Sequence, residues 1–218
     1  MPKENKPLYQ DVSKDGASYL DDMLEQPHLL ISGTTGAGKT FLAKKLLDKI
    51  ISRGYEPVVI DSKQFEFIDY KKKLPRQHRA TDTREIEMLL HGTYCAMLKR
   101  FKYREKHPNC KFTPIYVLID EYWDVKNYVC KQVQNELSLI ASKGRAGDVH
   151  LIVCTQRATR DVIDKMIKAN FTGKVALRCL DGQESKNVIG IKGAENLERY
   201  GYALYQSINH PQIIKIRV

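Results

Sequence analysis

Residues 33–40 read GTTGAGKT, a G-x-x-x-x-G-K-[ST] spacing that follows an apolar run, PHLLISG (27–33), and opens a helical pattern. These residue types suit the holding of phosphate. Gly36 and Gly38 let the backbone curl until its N–H groups point inward at phosphate oxygens. The N-terminus of the helix that follows adds partial positive charge. Lys39 is placed to reach β- and γ-phosphates, and Thr40 offers a hydroxyl to Mg²⁺. Gly33, Thr34, Thr35 and Ala37 complete the loop, and ATP with Mg²⁺ is the cofactor pair it implies. A tight glycine turn with an exposed lysine is the plain alternative, but it does not call for a strand before and a helix after.

A second stretch, IYVLIDEYWDV (115–125), puts Asp120 and Glu121 at the end of an apolar strand. In a parallel sheet that end lies beside the phosphate loop. Asp120 is expected to hold Mg²⁺ through water, and Glu121 to polarise the attacking water as general base. A nucleotide kinase with a phosphate loop needs no such glutamate, so the pair points to ATP hydrolysis and a motor-type enzyme. VHLIVCTQR (149–157) ends another strand in Thr155, Gln156 and Arg157. Gln156 is assigned to the γ-phosphate or the attacking water, the alternative being a polar strand cap.

Two basic runs with interleaved aromatics, DYKKKLPRQHRA (69–80) and KRFKYREKH (99–107), carry residue types that track phosphates. A solvated loop or helix face is the commoner role of such a run. Tyr122 and Trp123 are expected to pack. The six histidines have no metal spacing, so no protein-ligated metal other than the nucleotide's Mg²⁺ is expected.

These residues need elements to position them. Apolar runs at 27–33, 56–62, 114–121, 149–156 and 173–180 read as strands, and 39–52, 84–106, 126–142 and 160–169 as helices. Strands alternating with helices imply an α/β fold with a mainly parallel sheet covered on both faces. The tail GYALYQSINHPQIIKIRV reads as a C-terminal β-hairpin. Residues 1–26 are expected to form an N-terminal arm whose Asp-Gly turn makes a candidate edge hairpin, and 27–218 a single domain.

Composition limits the function classes. The 218 residues carry 36 basic and 26 acidic side chains, a net charge of +10 that favours a polyanionic partner. No apolar stretch approaches the roughly 20 residues of a membrane span, and the polar start lacks a signal-peptide core. No membrane insertion and a cytoplasmic location are therefore expected. Five scattered cysteines without a C-x-x-C pair read as reduced, mostly packed thiols.

Several segments, in this order, resemble the FtsK/SpoIIIE/HerA family of DNA-pumping ATPases over roughly residues 9–207. PHLLISGTTGAGKT is similar to the family's phosphate-loop segment, including its leading Pro-His. VVIDSK resembles its Asp-Pro-Lys strand end, with Ser62 where proline is usual, and VLIDEYWD its Asp-Glu strand. ASKGRAGDVHLIVCTQRATRDVIDKMIKAN is the most specific match, and GAENLERYGYALY resembles the closing segment. The resemblance implies a RecA-like P-loop NTPase and a homo-oligomeric ring, usually hexameric, with double-stranded DNA at its centre and ATP at the subunit boundaries. It implies that Arg145 acts in trans on a neighbour's γ-phosphate, that Arg157 faces DNA, and that Lys186 occupies a basic pore-loop position. Gly182 stands where the family often has a second lysine.

The function this resemblance implies is an ATP-driven duplex-DNA translocase. The cell-division members' membrane anchor and DNA-reading domain have no room here, so the motor of a phage, plasmid or other mobile element is expected. A portal, relaxase or secretion channel is the candidate protein partner. The rival readings are a viral genome-packaging ATPase and, from another class, an ATP-gated adaptor that recruits DNA without moving it.

Overall fold

The computed structural model describes residues 8–12, 19–159 and 162–218. The apolar runs form strands because both faces of each are covered, which favours continuous hydrophobic sequence over alternation. The strands are β1 (Gln10–Asp11), β2 (His28–Ser32), β3 (Glu56–Ile60), β4 (Arg79–Ala80), β5 (Ile115–Ile119), β6 (Val149–Thr155), β7 (Gly173–Ala176), β8 (Tyr202–Gln206) and β9 (Ile214–Arg217). Among the described residues they make one nine-stranded sheet in the order β1-β9-β8-β7-β2-β6-β5-β3-β4. Pairing from β7 through β2, β6, β5 and β3 to β4 is parallel, and β8 is antiparallel to both β7 and β9.

The helices are α1 (Leu20–Glu25), α2 (Lys39–Ser52), α3 (Thr83–Lys106), α4 (Tyr122–Tyr128), α5 (Lys131–Lys143), α6 (Lys165–Ala169) and α7 (Gly182–Ile189). Successive strand residues point to opposite faces, and the core divides accordingly. Leu30, Val117 and Val153 pack with Leu90 and Met97 of α3 and Leu137 and Ile140 of α5. Leu29, Ile31, Leu118 and Ile152 pack on the other face with Leu42, Leu46, Leu47 and Ile50 of α2. The α2 residues recur at helical spacing, so one stripe of the helix meets the sheet.

The expected C-terminal hairpin is present as β8 and β9. Other expectations need correction. The helix read over 126–142 is two, α4 beginning directly after Glu121 and α5 after a break. Val129 and Cys130 at the break are extended, with ψ of 150° and 161°; Val129 is buried, and Glu87 accepts the Cys130 N–H. The strand read over 173–180 ends at Ala176. The edge element β1 runs parallel to β9, and the Asp15-Gly16 turn of the expected hairpin lies outside the described residues. Of the expected 160–169 helix, residues 160 and 161 also lie outside them, 162–164 are not helical, and α6 begins at Lys165 after Asp164, whose ψ of 142° is not helical.

Helix α7 has a sequence signal that the periodicity reading passed over. The Asp181 carboxylate accepts from the Gln183 and Glu184 N–H groups at 2.8 Å each, and Gly190 (φ +88°) ends the helix. The cysteines are free, but only Cys154 and Cys179 are buried, so the expectation of mostly packed thiols is corrected. Among the described residues no helix is long and apolar enough to cross a membrane.

Leu30 is fully buried at the centre of the sheet, whereas Leu180 is 69% exposed. Leu30→Ala should cost about 2–5 kcal/mol and Leu180→Ala less than about 0.5 kcal/mol, read from urea denaturation midpoints.

Candidate functional site

The phosphate loop leaves β2 at its carboxyl end and enters α2. Gly36 and Gly38 take φ of +74° and +101°, where other residues are strained. Gly33 is needed for a different reason: a Cβ there would lie 2.8 Å from the Leu177 Cβ. The Thr34 N–H and hydroxyl both donate to the Arg178 carbonyl, at 2.9 and 3.1 Å, tying the loop to the segment after β7. Lys39 is 8% exposed and donates from Nζ to the Gly33 and Thr34 carbonyls at 2.7 and 3.0 Å. Burial pushes its ammonium below the ordinary lysine range, and Glu121 and Asp120 act against that shift.

Glu121 and Asp120 stand at the carboxyl end of β5, which is not next to β2; β6 lies between them. Neighbouring strands are about 4.8 Å apart, so the carboxylates stand about 10 Å across from the loop strand. That gap leaves room for the groups that react. Glu121 is buried, and its Oε1 accepts from the Thr155 hydroxyl and the Gln156 N–H, each at 3.3 Å. Its Oε2 is buried and makes no hydrogen bond to a described residue; the Lys63 Nζ lies 3.6 Å away. Gln156 reaches the loop itself, its Oε1 accepting from the Thr35 hydroxyl at 3.1 Å. Lys39, Glu121 and Gln156 therefore converge at one carboxyl edge.

Asp120 is 3% exposed, and burial raises its carboxyl from 3.8 to about 6, opposed by Lys63 and reinforced by Glu66, Asp61 and Glu121. A buried carboxylate among like charges, with the Thr40 hydroxyl lining the same cavity, fits a hard cation that takes oxygen ligands. The cavity, about 580 Å³, runs along the loop and is also lined by Phe41, Tyr200, Gly201 and Val218. Arg199 stacks on Tyr200 at 5.4 Å, and its guanidinium would lie 3.6 Å from a Cβ on Gly36.

Lys63 and Arg199 drew no functional assignment from the sequence. The signal for Lys63 was present, since the strand ending in IDSK reaches the same edge as the one ending in IDE. Arg199 has no local signal, because its place by the loop comes from the C-terminal strands folding back.

The structure sets Arg145 apart. It is exposed in the Gly144–Gly147 turn before β6, at the amino edge of the sheet, seven strand residues from Thr155. At about 3.3 Å per residue that is some 20 Å from its own phosphate loop. Helix α3 anchors the turn: Arg100 donates to the Gly147 and Asp148 carbonyls at 2.9 and 3.1 Å, and Arg104 to the Ala146 carbonyl. The 99–107 run thus has both of its arginines occupied with protein carbonyls. In the 69–80 run, Arg76 pairs with Glu85 and Lys73 with Asp48.

Arg157 is exposed beside α7, its Nε 3.7 Å from the Glu184 carboxylate, and Lys186 is exposed on α7 itself, a helix and not a loop. Tyr122 packs as expected, but Trp123 is 42% exposed, which corrects that expectation.

Residues 19–125 match the family described as Helicase HerA, central domain. The chain is 30% identical over 224 residues to the DNA translocase FtsK of Chlorobaculum tepidum, covering 90% of this chain and 28% of that protein. It is likewise 30% identical over 220 residues to the FtsK of Borreliella burgdorferi, with 90% and 28% covered. The chain therefore spans under a third of the length of these relatives. Among solved structures, the pCW3 conjugation coupling protein TcpA superposes with TM-score 0.76 at 21% identity, covering 98% of this chain and 70% of that one. The genome packaging NTPase of Sulfolobus turreted icosahedral virus 2 gives TM-score 0.60 at 15% identity, with 88% and 97% covered. The loop, the acidic pair across an intervening strand and these likenesses together establish that the chain belongs to the FtsK/HerA family of RecA-like P-loop ATPase domains.

Proposed function

We propose that this domain hydrolyses ATP to drive movement along double-stranded DNA, working in a ring of identical subunits. The observation that carries the hydrolytic part is Glu121. One carboxylate oxygen is fixed by Thr155 and the Gln156 N–H, and the other accepts no hydrogen bond from a described residue and lies 3.6 Å from the Lys63 ammonium, which also lines the loop cavity. An oxygen so held can take a proton from water as water attacks a γ-phosphate. Gly33 to Thr40 cradle the phosphates and Lys39 counters their charge. Thr40 and Asp120 would hold Mg²⁺, which when bound neutralises charge between the β- and γ-phosphates. Gln156, touching both the loop and Glu121, orients the γ-phosphate and the attacking water.

Arg145, remote from its own loop, serves the site of the neighbouring subunit. Arg157 and the α7 residue Lys186 contact the DNA backbone, which carries no sequence information directly. The net charge of +10 and the likeness to FtsK translocases support a DNA track.

ATPase rate with and without duplex DNA, together with particle size, tests this reading. Stimulation by DNA in a ring supports it, and a monomer indifferent to DNA defeats it. Glu121→Gln should keep ATP binding while turnover falls at least about 100-fold; near-normal turnover would move the base elsewhere.

Asp120 adds a pH dependence. Its folded-state carboxyl at about 6 lies above the ordinary 3.8, so the fold holds that proton more tightly than the unfolded chain does. Below about pH 4 both states are protonated and burial costs nothing. As pH rises towards 6 the fold loses stability from this group, and above 6 the loss is complete. Asp120→Asn should remove that dependence and stabilise the nucleotide-free chain at pH 7 by about 1–3 kcal/mol, read from denaturant titrations at pH 4.5 and 7.

A further inference from the structure

Away from the nucleotide cavity, three side chains on the α3–α5 seam form a relay that the ATPase reading does not use. His91 and Cys95 are four residues apart on α3, so they share a face. Glu136, on α5, is 6% exposed. The His91 Nδ1 lies 2.9 and 3.1 Å from the two Glu136 carboxylate oxygens, and the Cys95 Sγ lies 3.5 Å from the His91 Nε2. Gln132 donates to Glu136 Oε1 at 2.9 Å and fixes the carboxylate.

The hydrogen-bonding roles follow from the groups. An ionised carboxylate only accepts, so it holds the proton on Nδ1 and leaves the Nε2 lone pair facing the thiol. A thiol beside an imidazole oriented by a buried carboxylate is the arrangement that turns a cysteine into a nucleophile. Cys95 and His91 both reach solvent, so a small reagent has access. Cys110 and Cys130 are also accessible; Cys110 has the Arg104 guanidinium beside it, which favours a thiolate but takes no proton from the thiol, and neither has the imidazole base that Cys95 has.

We propose that Cys95 is a reactive thiol that exchanges with low-molecular-weight disulfides of the glutathione class. The Cys95 proton passes to His91 Nε2 as sulfur attacks one sulfur of the reagent. The reagent's S–S bond breaks, and a mixed disulfide forms on Cys95. The departing thiolate takes the proton from His91 and leaves as a thiol. Cys95 is oxidised and half of the reagent reduced, so no further oxidant is needed.

The test uses the full chain with Cys110→Ser and Cys130→Ser, which leaves Cys95 as the accessible thiol among the described residues. Glutathione disulfide is added at pH 7 and the adduct followed by intact mass and peptide mapping. Cys95 should form the mixed disulfide, and His91→Gln should slow it about tenfold. Glu136→Gln should slow it by a smaller factor, because the imidazole remains but loses its orientation. Alkylation by iodoacetamide should fall in the same order, which shows that the nucleophile has changed and not access for a disulfide. His91→Gln takes a partner from the buried Glu136, so each variant's melting temperature is measured as well and all rates are compared well below the lowest of them, where a slower reaction cannot come from unfolding. Equal rates with and without His91, or a Cys95 no faster than a cysteine in an unstructured peptide, would overturn the proposal.

Discussion

The buried ammonium of Lys39 is the constraint on which the site depends. A cation removed from water costs several kcal/mol unless oxygen atoms replace its hydration. Here the Gly33 and Thr34 carbonyls do so directly, and Glu121 and Asp120 balance the charge from across the sheet. The carbonyls point at Nζ only because the loop curls through two positive φ angles at Gly36 and Gly38 and lies close over Leu177 at Gly33. The parallel sheet collects the rest, since the loop, the Asp-Glu pair and Gln156 all leave strands that end at the same edge.

The intervening strand β6 gives the site its depth. It separates the loop from the acids by two strand spacings, and from its own end it supplies Thr155 and Gln156 to hold Glu121. The same strand begins at the opposite edge, just after the turn that carries Arg145. One element thus spans from the nucleotide edge to the edge that would meet a neighbour. Arg100 and Arg104 brace that turn from the side of α3.

Much of this was legible in the sequence, for identifiable reasons. The loop could be read because strand, glycine and lysine must follow one another within a few residues, and the strand ends at Asp120 and Thr155 because each closes a continuous apolar run with polar side chains. The break at Val129 and Cys130 could not, because the apolar spacing runs on through it and only tertiary burial of Val129 redirects the chain. Helix α7 was missed although Asp181 and Gly190 marked both its ends. Arg199 reaches the loop from a distant part of the chain, so no local pattern places it there, whereas the strand ending in IDSK already marked Lys63. The relay of His91, Cys95 and Glu136 likewise joins two helices, and only its first pair is visible as a four-residue spacing.

The central claim is that one chain holds an incomplete catalytic site and a neighbour's Arg145 completes it. Mixing Arg145→Ala subunits with Lys39→Ala subunits tests this most directly. Neither variant alone should hydrolyse ATP well, while a mixed ring can set an intact Arg145 against an intact phosphate loop. The account predicts partial recovery of DNA-stimulated ATPase activity on mixing. Wild-type turnover by Arg145→Ala alone, or no recovery in rings shown to contain both variants, would contradict it.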